Sequence, residues 1–178
     1  NQHIGESLKW FQREWGLQRH IEWIQWTYDP LLVINAYLNI HRLGAIANKY
    51  LENCYGLMDG INTGTPSDRI MVVWHLNSPR VQACFNNSIN DLPFESISVN
   101  NVRDNIPGEI YYDKDASVLR INLPHNFPEL SNVNPHLALE WRLHVRHLLV
   151  NFFNQGFCIT GFSLTGGPAY LLQKYPEK

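Results

Sequence analysis

The stretch His20-Ile21-Glu22-Trp23-Ile24-Gln25-Trp26-Thr27-Tyr28 is crowded with aromatic and β-branched residues and stops at Asp29-Pro30. Side chains of that kind fit a pleated, buried surface, so the run is expected to be a strand. Asp-Pro carries the opposite signal. The Asp carboxylate accepts from the free N–H groups of a first helical turn, and Pro sits at N1 without forfeiting a bond. The helix is expected over Leu31 to Leu43, with Gly44 as its stop. A strand that hands over directly to a helix excludes an all-α or all-β architecture.

The remaining punctuation follows the same logic. Ile4, Leu8, Phe11 and Trp15 recur at helical spacing and predict an amphipathic first helix with that stripe inward. Strands are expected over Ala45–Tyr55 and Arg69–Leu76, and a short helix after Ser78-Pro79. The Asn- and Pro-rich stretch 86–117 reads as an irregular connection holding at most one short strand. A strand over Val118–Leu123 follows. Asn134-Pro135 then opens a long helix to Asn154 with Leu137, Trp141, Val145, Leu148 and Phe152 on one stripe. Strands flank the Gly166-Gly167-Pro168 turn. The fold class is α+β, with residues 1–85, a connection over 86–117, and a β-α-β-β portion over 118–178 packing on the same domain.

Composition narrows the function classes. Lys+Arg 14 against Asp+Glu 16 gives a formal charge of -2, which lacks the basic footprint of a nucleic-acid binder. The six tryptophans therefore read as core rather than as a stacking platform. Cys54, Cys84 and Cys158 are scattered and form no CxxC pair, which points to a reducing, cytoplasmic setting without a disulfide framework. No apolar run reaches bilayer length, so no membrane partner is expected. Glu140, His144 and His147 share a helix face but have no second cluster to complete a metal site, so no metal is expected. The chain opens on Asn1-Gln2-His3 without Met and is helical within a few residues, which reads as a segment with an earlier part upstream.

That helical start offers free backbone N–H groups around Gly5, the usual makings of an anion site or of a plain helix end. The polar, Gly-rich loop Tyr55 to Arg69 is expected to face substrate. Asp59 and Asn62 supply donors and acceptors, and Arg69 either clamps a carboxylate or joins Asp68 in an internal network.

Several motifs in sequence carry a resemblance. Gln2-His3-Ile4-Gly5-Glu6-Ser7 resembles the tail of the Q/R-x-x-G-x-G/A motif of the GNAT acyltransferase superfamily. Trp26-Thr27-Tyr28-Asp29-Pro30-Leu31, Asn35 to Ala45 (N-A-x-x-N-x-x-R-L-G-A), Tyr55-Gly56-Leu57-Met58, Asn62 to Arg69 (N-x-G-x-P-S-D-R) and Ser78-Pro79-Arg80-Val81 resemble, in that order, one predicted-acetyltransferase subgroup. Leu137 to Phe162 is similar to that group's closing helix and strand.

The resemblance implies the C-terminal portion of a GNAT-like fold, from the cofactor helix onward, plus an extra C-terminal helix and strands. The first four strands would lie upstream, leaving an exposed sheet edge that a homodimer or the upstream segment would cover. It implies acyl transfer from acetyl-CoA or another acyl-CoA to the amine of a small molecule or amino acid. Succinyl-CoA as donor and a non-catalytic binding module are the alternatives. Gln2, His3, Ile4, Gly5, Glu6 and Ser7 would hold the pyrophosphate, and Asn35 and Asn39 the pantetheine arm. His3 stands where the motif has its first Gly. Ile40 stands where many members carry a Tyr that protonates the departing thiolate. Tyr37 and His41, close to Ile40, are the replacement donors, the alternative being a core tyrosine and a solvent-facing histidine.

Overall fold

The computed structural model describes residues 2–56, 66–88, 96–111 and 116–174. Helix α1 (Gln2–Leu17) leads into strand β1 (Trp23–Tyr28), then α2 (Val33–Ala36), which continues as a π-helical segment (Tyr37–Arg42). Strands β2 (Ile46–Leu51) and β3 (Arg69–His75), helix α3 (Pro79–Phe85) and strands β4 (Ile97–Ser98), β5 (Asn100–Arg103), β6 (Ile106–Ile110) and β7 (Leu119–Asn122) follow. Helices α4 (Phe127–Val133) and α5 (Pro135–Asn154) precede the closing strands β8 (Phe157–Ser163) and β9 (Ala169–Lys174).

The fold is α+β, built on a mixed seven-stranded sheet in the order β1-β3-β2-β8-β9-β7-β4. Among the described residues only the β4–β7 pair is parallel. Strands β5 and β6 form a separate antiparallel ribbon. The portions 1–85 and 118–178 therefore share one sheet, joined where Ala47 of β2 faces Ile159 of β8. Helix α5 lies against β2, β6 and β8, burying Ala138, Trp141, Val145, Leu148, Leu149 and Phe152. Along β3 the pattern has period two: Ile70, Val72 and Trp74 are fully buried while Arg69, Met71, Val73 and His75 are half-covered. No helix among the described residues is long and apolar enough to cross a membrane.

Where local signals were strong, the elements form as expected. Asn134 Oδ1 accepts from Leu137 N–H (3.1 Å) and α5 ends at Asn154. Ser78 Oγ accepts from Val81 N–H (3.3 Å) with Pro79 at the start of α3. The stretch 86–117, expected to be irregular with at most one strand, contains β4, β5 and β6, and the short helix α4 capped by Asn126 was not anticipated.

Helix α1 forms, but with the opposite face inward from the one its apolar stripe predicts. Ile4, Leu8, Phe11 and Trp15 are 60%, 62%, 67% and 45% exposed. The packed face carries Trp10, whose ring meets Trp74 (5.6 Å) and Phe85 (5.2 Å), together with Leu17. Arg13 Nε donates to the Leu76 carbonyl (2.6 Å) and holds that face down. The helix has apolar residues on both sides, and the aromatic contact with β3 plus one part-buried hydrogen bond selects which side packs.

The expected α-helix over 31–43 also differs. Asp29 Oδ1 accepts from Leu31 N–H (2.9 Å) and closes a turn, so the helix starts at Val33 and widens to i→i+5 bonding, as in Leu43 N–H to the Leu38 carbonyl (2.9 Å). Arg80 fastens the end of the π segment from α3, donating to the carbonyls of Gly44 (3.0 Å) and Ile40 (3.1 Å). Gly44 turns the chain at φ +74°, and a Cβ built there would stand 2.6 Å from Cys84 Sγ. Gly44→Ala is therefore expected to lower stability by roughly 1–3 kcal/mol through overpacking and a left-handed backbone. A shift of the urea midpoint measures it, and an unchanged midpoint would show that α3 retreats freely.

Candidate functional site

Two segments distant in sequence meet through one ion pair. Glu6, in the second turn of α1, receives Arg42 from the π segment through Nη2 (2.8 Å) and Nε (3.2 Å). The carboxylate raises the Arg42 pKa chiefly through that hydrogen bond. The pair neutralises the Glu6 carboxylate close to the N-terminal end of α1, where the helix dipole is positive. Ile4, Gly5 and Ser7 are exposed, and the space a Gly5 side chain would occupy is open. Gln2, His3, Ile4 and Gly5 make up the first described turn of α1.

On the neighbouring π segment the rings of Tyr37 and His41 stack at 4.6 Å with 19° between planes. A π-helical turn sets residues four apart almost in register, and single π turns recur where side chains are aimed for function. Tyr37 is half-buried and packs against the core, with part of its surface open. Ile40, between Tyr37 and His41 in the chain, is fully buried in the core.

Three expectations are corrected or left aside. Asn39, expected to meet the pantetheine arm, is 5% exposed on the inward side of the π segment beside Ile40, whereas Asn35 stays half-exposed. Arg69 is not a free clamp. Its Nη1 donates to the Asp68 carbonyl (2.8 Å) and lies 3.7 Å from Asp29 Oδ2, and its guanidinium covers the Tyr55 ring at 5.0 Å. Asp59 and Asn62 lie outside the described residues.

The charged network around Arg69 is larger than sequence spacing suggests. Arg142 binds Asp29 through two bonds (2.6 and 2.7 Å), and Arg146 binds Asp68 through two (2.8 and 2.7 Å) and reaches Glu52 at 3.2 Å. Tyr50 Oη donates to Asp68 Oδ2 (2.7 Å) and Asn53 N–H to Oδ1 (2.9 Å). Arg142 and Arg146 lie one helical turn apart on α5, beside the buried Trp141–Val145 stripe. That placement of two arginines next to an apolar stripe was the available signal. It says that they are buried with partners, not which carboxylates they find.

Burial pushes the Asp68 carboxyl up, but the Arg146, Asn53 and Tyr50 hydrogen bonds outweigh it and leave the pKa below the ordinary value. A depressed folded-state pKa gives stability that is complete above the ordinary carboxylate range and is lost as pH falls through the lowered value. Asp68→Asn is expected to flatten the acid limb of a stability-versus-pH curve. Urea midpoints collected from neutral pH downward measure this, and an acid limb unchanged in the variant would refute it.

Elsewhere, His144 Nε2 sits 3.2 Å from Asn100 Nδ2, and burial and the nearby His147 lower its pKa. No group of three or more His, Cys, Asp or Glu able to hold a metal occurs among the described residues. The Cys84 thiol is pushed up to about 11 by burial. A groove of about 1300 Å3 opens at the other end of α1, bordered by His20, Asn48, His75 and Cys158, and includes none of the residues assigned to the acyl donor.

No family model, no curated protein and no solved structure matches the chain.

Proposed function

We propose that the chain is the later part of a GNAT-type N-acyltransferase that moves an acyl group, acetyl in the first instance, from coenzyme A to an amine. The observation that carries the reading is the Glu6–Arg42 pair. It brings the start of α1 and the π segment, the two stretches whose motifs resemble the donor site, to one place across 36 residues of sequence. An exposed N-terminal turn with the Glu6 carboxylate neutralised by Arg42 fits a diphosphate.

The open side of the sheet supports the same reading. Leu76 N–H donates to the Glu22 carbonyl (2.9 Å), which identifies 22/76 as a hydrogen-bonded pair of the β1–β3 ladder. By alternation the main-chain groups of Trp23, Gln25 and Thr27 point away from β3, along an edge with no neighbouring strand among the described residues. That edge and the exposed stripe of α1 are where further strands, or a second copy, would add.

The donor, when bound, supplies an activated thioester carbonyl. The first turn of α1, from Gln2 to Gly5 with Ser7 beside it, would hold the diphosphate, and Asn35 would reach the pantetheine amides. Tyr37 would protonate the departing sulfur, with His41 stacked on it to fix the ring. The acceptor is a small-molecule amine, which must arrive neutral to attack.

Calorimetric titration of acetyl-CoA and succinyl-CoA tests the reading, the tighter thioester naming the acyl group. Gly5→Glu adds an anion in open space at the diphosphate position and is expected to weaken binding about tenfold or more. No saturable binding of either thioester would overturn the proposal. Binding without thiol release, with any amine offered, would favour the non-catalytic module that the buried Ile40 also fits.

A further inference from the structure

Arg120, on β7, is an arginine held in place without a counter-charge. Its Nε donates to Asn122 Oδ1 (2.8 Å), and its Nη2 donates to the carbonyls of Thr165 (2.9 Å) and Gly167 (2.7 Å). Asn122 is itself pinned, donating through Nδ2 to the Asn100 carbonyl (2.7 Å) and through its backbone N–H to Asn100 Oδ1 (2.8 Å). A guanidinium has five N–H donors. These bonds use one on Nε and two on Nη2, and the pair on Nη1 has no acceptor among the described residues. No carboxylate among them pairs with Arg120 either. Burial alone acts on its pKa and lowers it, as expected for a cation taken partly out of water with nothing of opposite sign nearby.

The surroundings form a small polar cavity of about 240 Å3, bordered by Ser98, Asn101, Arg120, Asn122, His125 and the Gly166-Gly167 turn. Two polar side chains lie within van der Waals contact of the turn. A Cβ at Gly167 (φ +104°) would stand 3.5 Å from His125 Cε1, and one at Gly166 (φ +71°) would stand 3.9 Å from Arg120 Nη2. Imidazole and guanidinium thus lie against the same two-residue turn, from β7 and from the segment before α4.

We infer that this cavity is a binding site for a small oxyanion, a carboxylate or a phosphate group, received by Arg120 Nη1 and by His125. The two N–H donors of Nη1 suit an oxygen of either group, and the guanidinium is already oriented by the bonds to Asn122, Thr165 and Gly167. The volume is below the ~300–1,000 Å3 of pockets that take whole drug-sized ligands, so the ligand is a small anion or one anionic group of a larger molecule. In the sheet, β7 is five strand positions from β1, or roughly 24 Å at ~4.8 Å per strand. The site is therefore separate from the donor groups at α1, and its success or failure is independent of the acyltransferase reading.

The test is an amide-shift titration of the protein with sodium phosphate and, in a second arm, sodium acetate, each against sodium chloride at matched ionic strength. Saturable shifts clustered at Ser98, Asn101, Arg120, His125, Gly166 and Gly167 are expected, and the arm with the lower apparent Kd names the anion. Arg120→Gln should weaken that binding about tenfold or more, and His125→Gln about threefold. If Arg120→Gln loosens the turn it also supports, His125→Gln, at an exposed position, decides by the same titration. Shifts no different from those in chloride, or apparent Kd values unchanged in His125→Gln and in a folded Arg120→Gln, would overturn the inference.

Discussion

Arg142→Ala is expected to cost about 3–5 kcal/mol of folding stability, the range for removing one partner of a buried ion pair. Arg142 is 3% exposed, and both of its bonds to Asp29 are short (2.6 and 2.7 Å). The guanidinium also covers the Phe127 ring at 4.9 Å, so truncation removes packing along with charge. Asp29 would be left with Arg69 at 3.7 Å and the Leu31 N–H, too little for a carboxylate that stays largely covered. The double variant Asp29→Asn with Arg142→Met should recover a large part of the loss, because an uncharged pair leaves no unpaired ion. Urea unfolding at constant m-value reads all three proteins. A single-variant loss under about 1 kcal/mol would mean that water reaches Asp29 and that the pair behaves as an exposed one.

The second large effect concerns the proposed chemistry. Tyr37→Phe is expected to reduce acyl transfer about 100-fold or more, the usual contribution of a positioned proton donor, while acetyl-CoA binding stays unchanged. The variant keeps the ring that stacks on His41 at 4.6 Å and removes only the hydroxyl, so a packing effect is separated from a proton effect. His41→Ala should act more weakly, by loosening Tyr37. Single-turnover thiol release, with amine saturating, measures both. Equal rates in wild type and Tyr37→Phe would remove Tyr37 from the mechanism and leave His41 as the donor to test.

These two predictions depend on contacts that differ in how visible they were. Tyr37 and His41 stand out because they lie one helical turn apart and close to Ile40, where the resemblance expects a proton donor, and short-range geometry brings them together. The partner of Asp29 is 113 residues away in sequence, and no local pattern names it. Asp29 itself illustrates both cases. Its side chain bonds the Leu31 N–H as an Asp-Pro turn should, while its stronger partner comes from α5. Arg69, expected either as a clamp or within a network with Asp68, is in a network, but Asp68 gives it a backbone carbonyl and gives its carboxylate to Arg146. The face of α1 shows the same limit. Periodicity marks an apolar stripe correctly yet does not say that Trp10 on the other side will meet Trp74.

By itself the sequence determined the elements whose signals are complete within a few residues. The caps at Ser78 and Asn134, the alternation along β3, the periodic stripe of α5 and the glycine turn at 166–167 each act through bonds no longer than one turn or one hairpin. Only the tertiary structure decided the strand order that inserts β3 between β1 and β2, the widening of the second helix into a π segment, and the pairing of Glu6 with Arg42 and Asp29 with Arg142. The reason is energetic. A local signal competes only with water and its own backbone, whereas a buried charge or an aromatic ring takes whichever distant partner the whole packed sheet makes available, and that choice is a property of the assembled core.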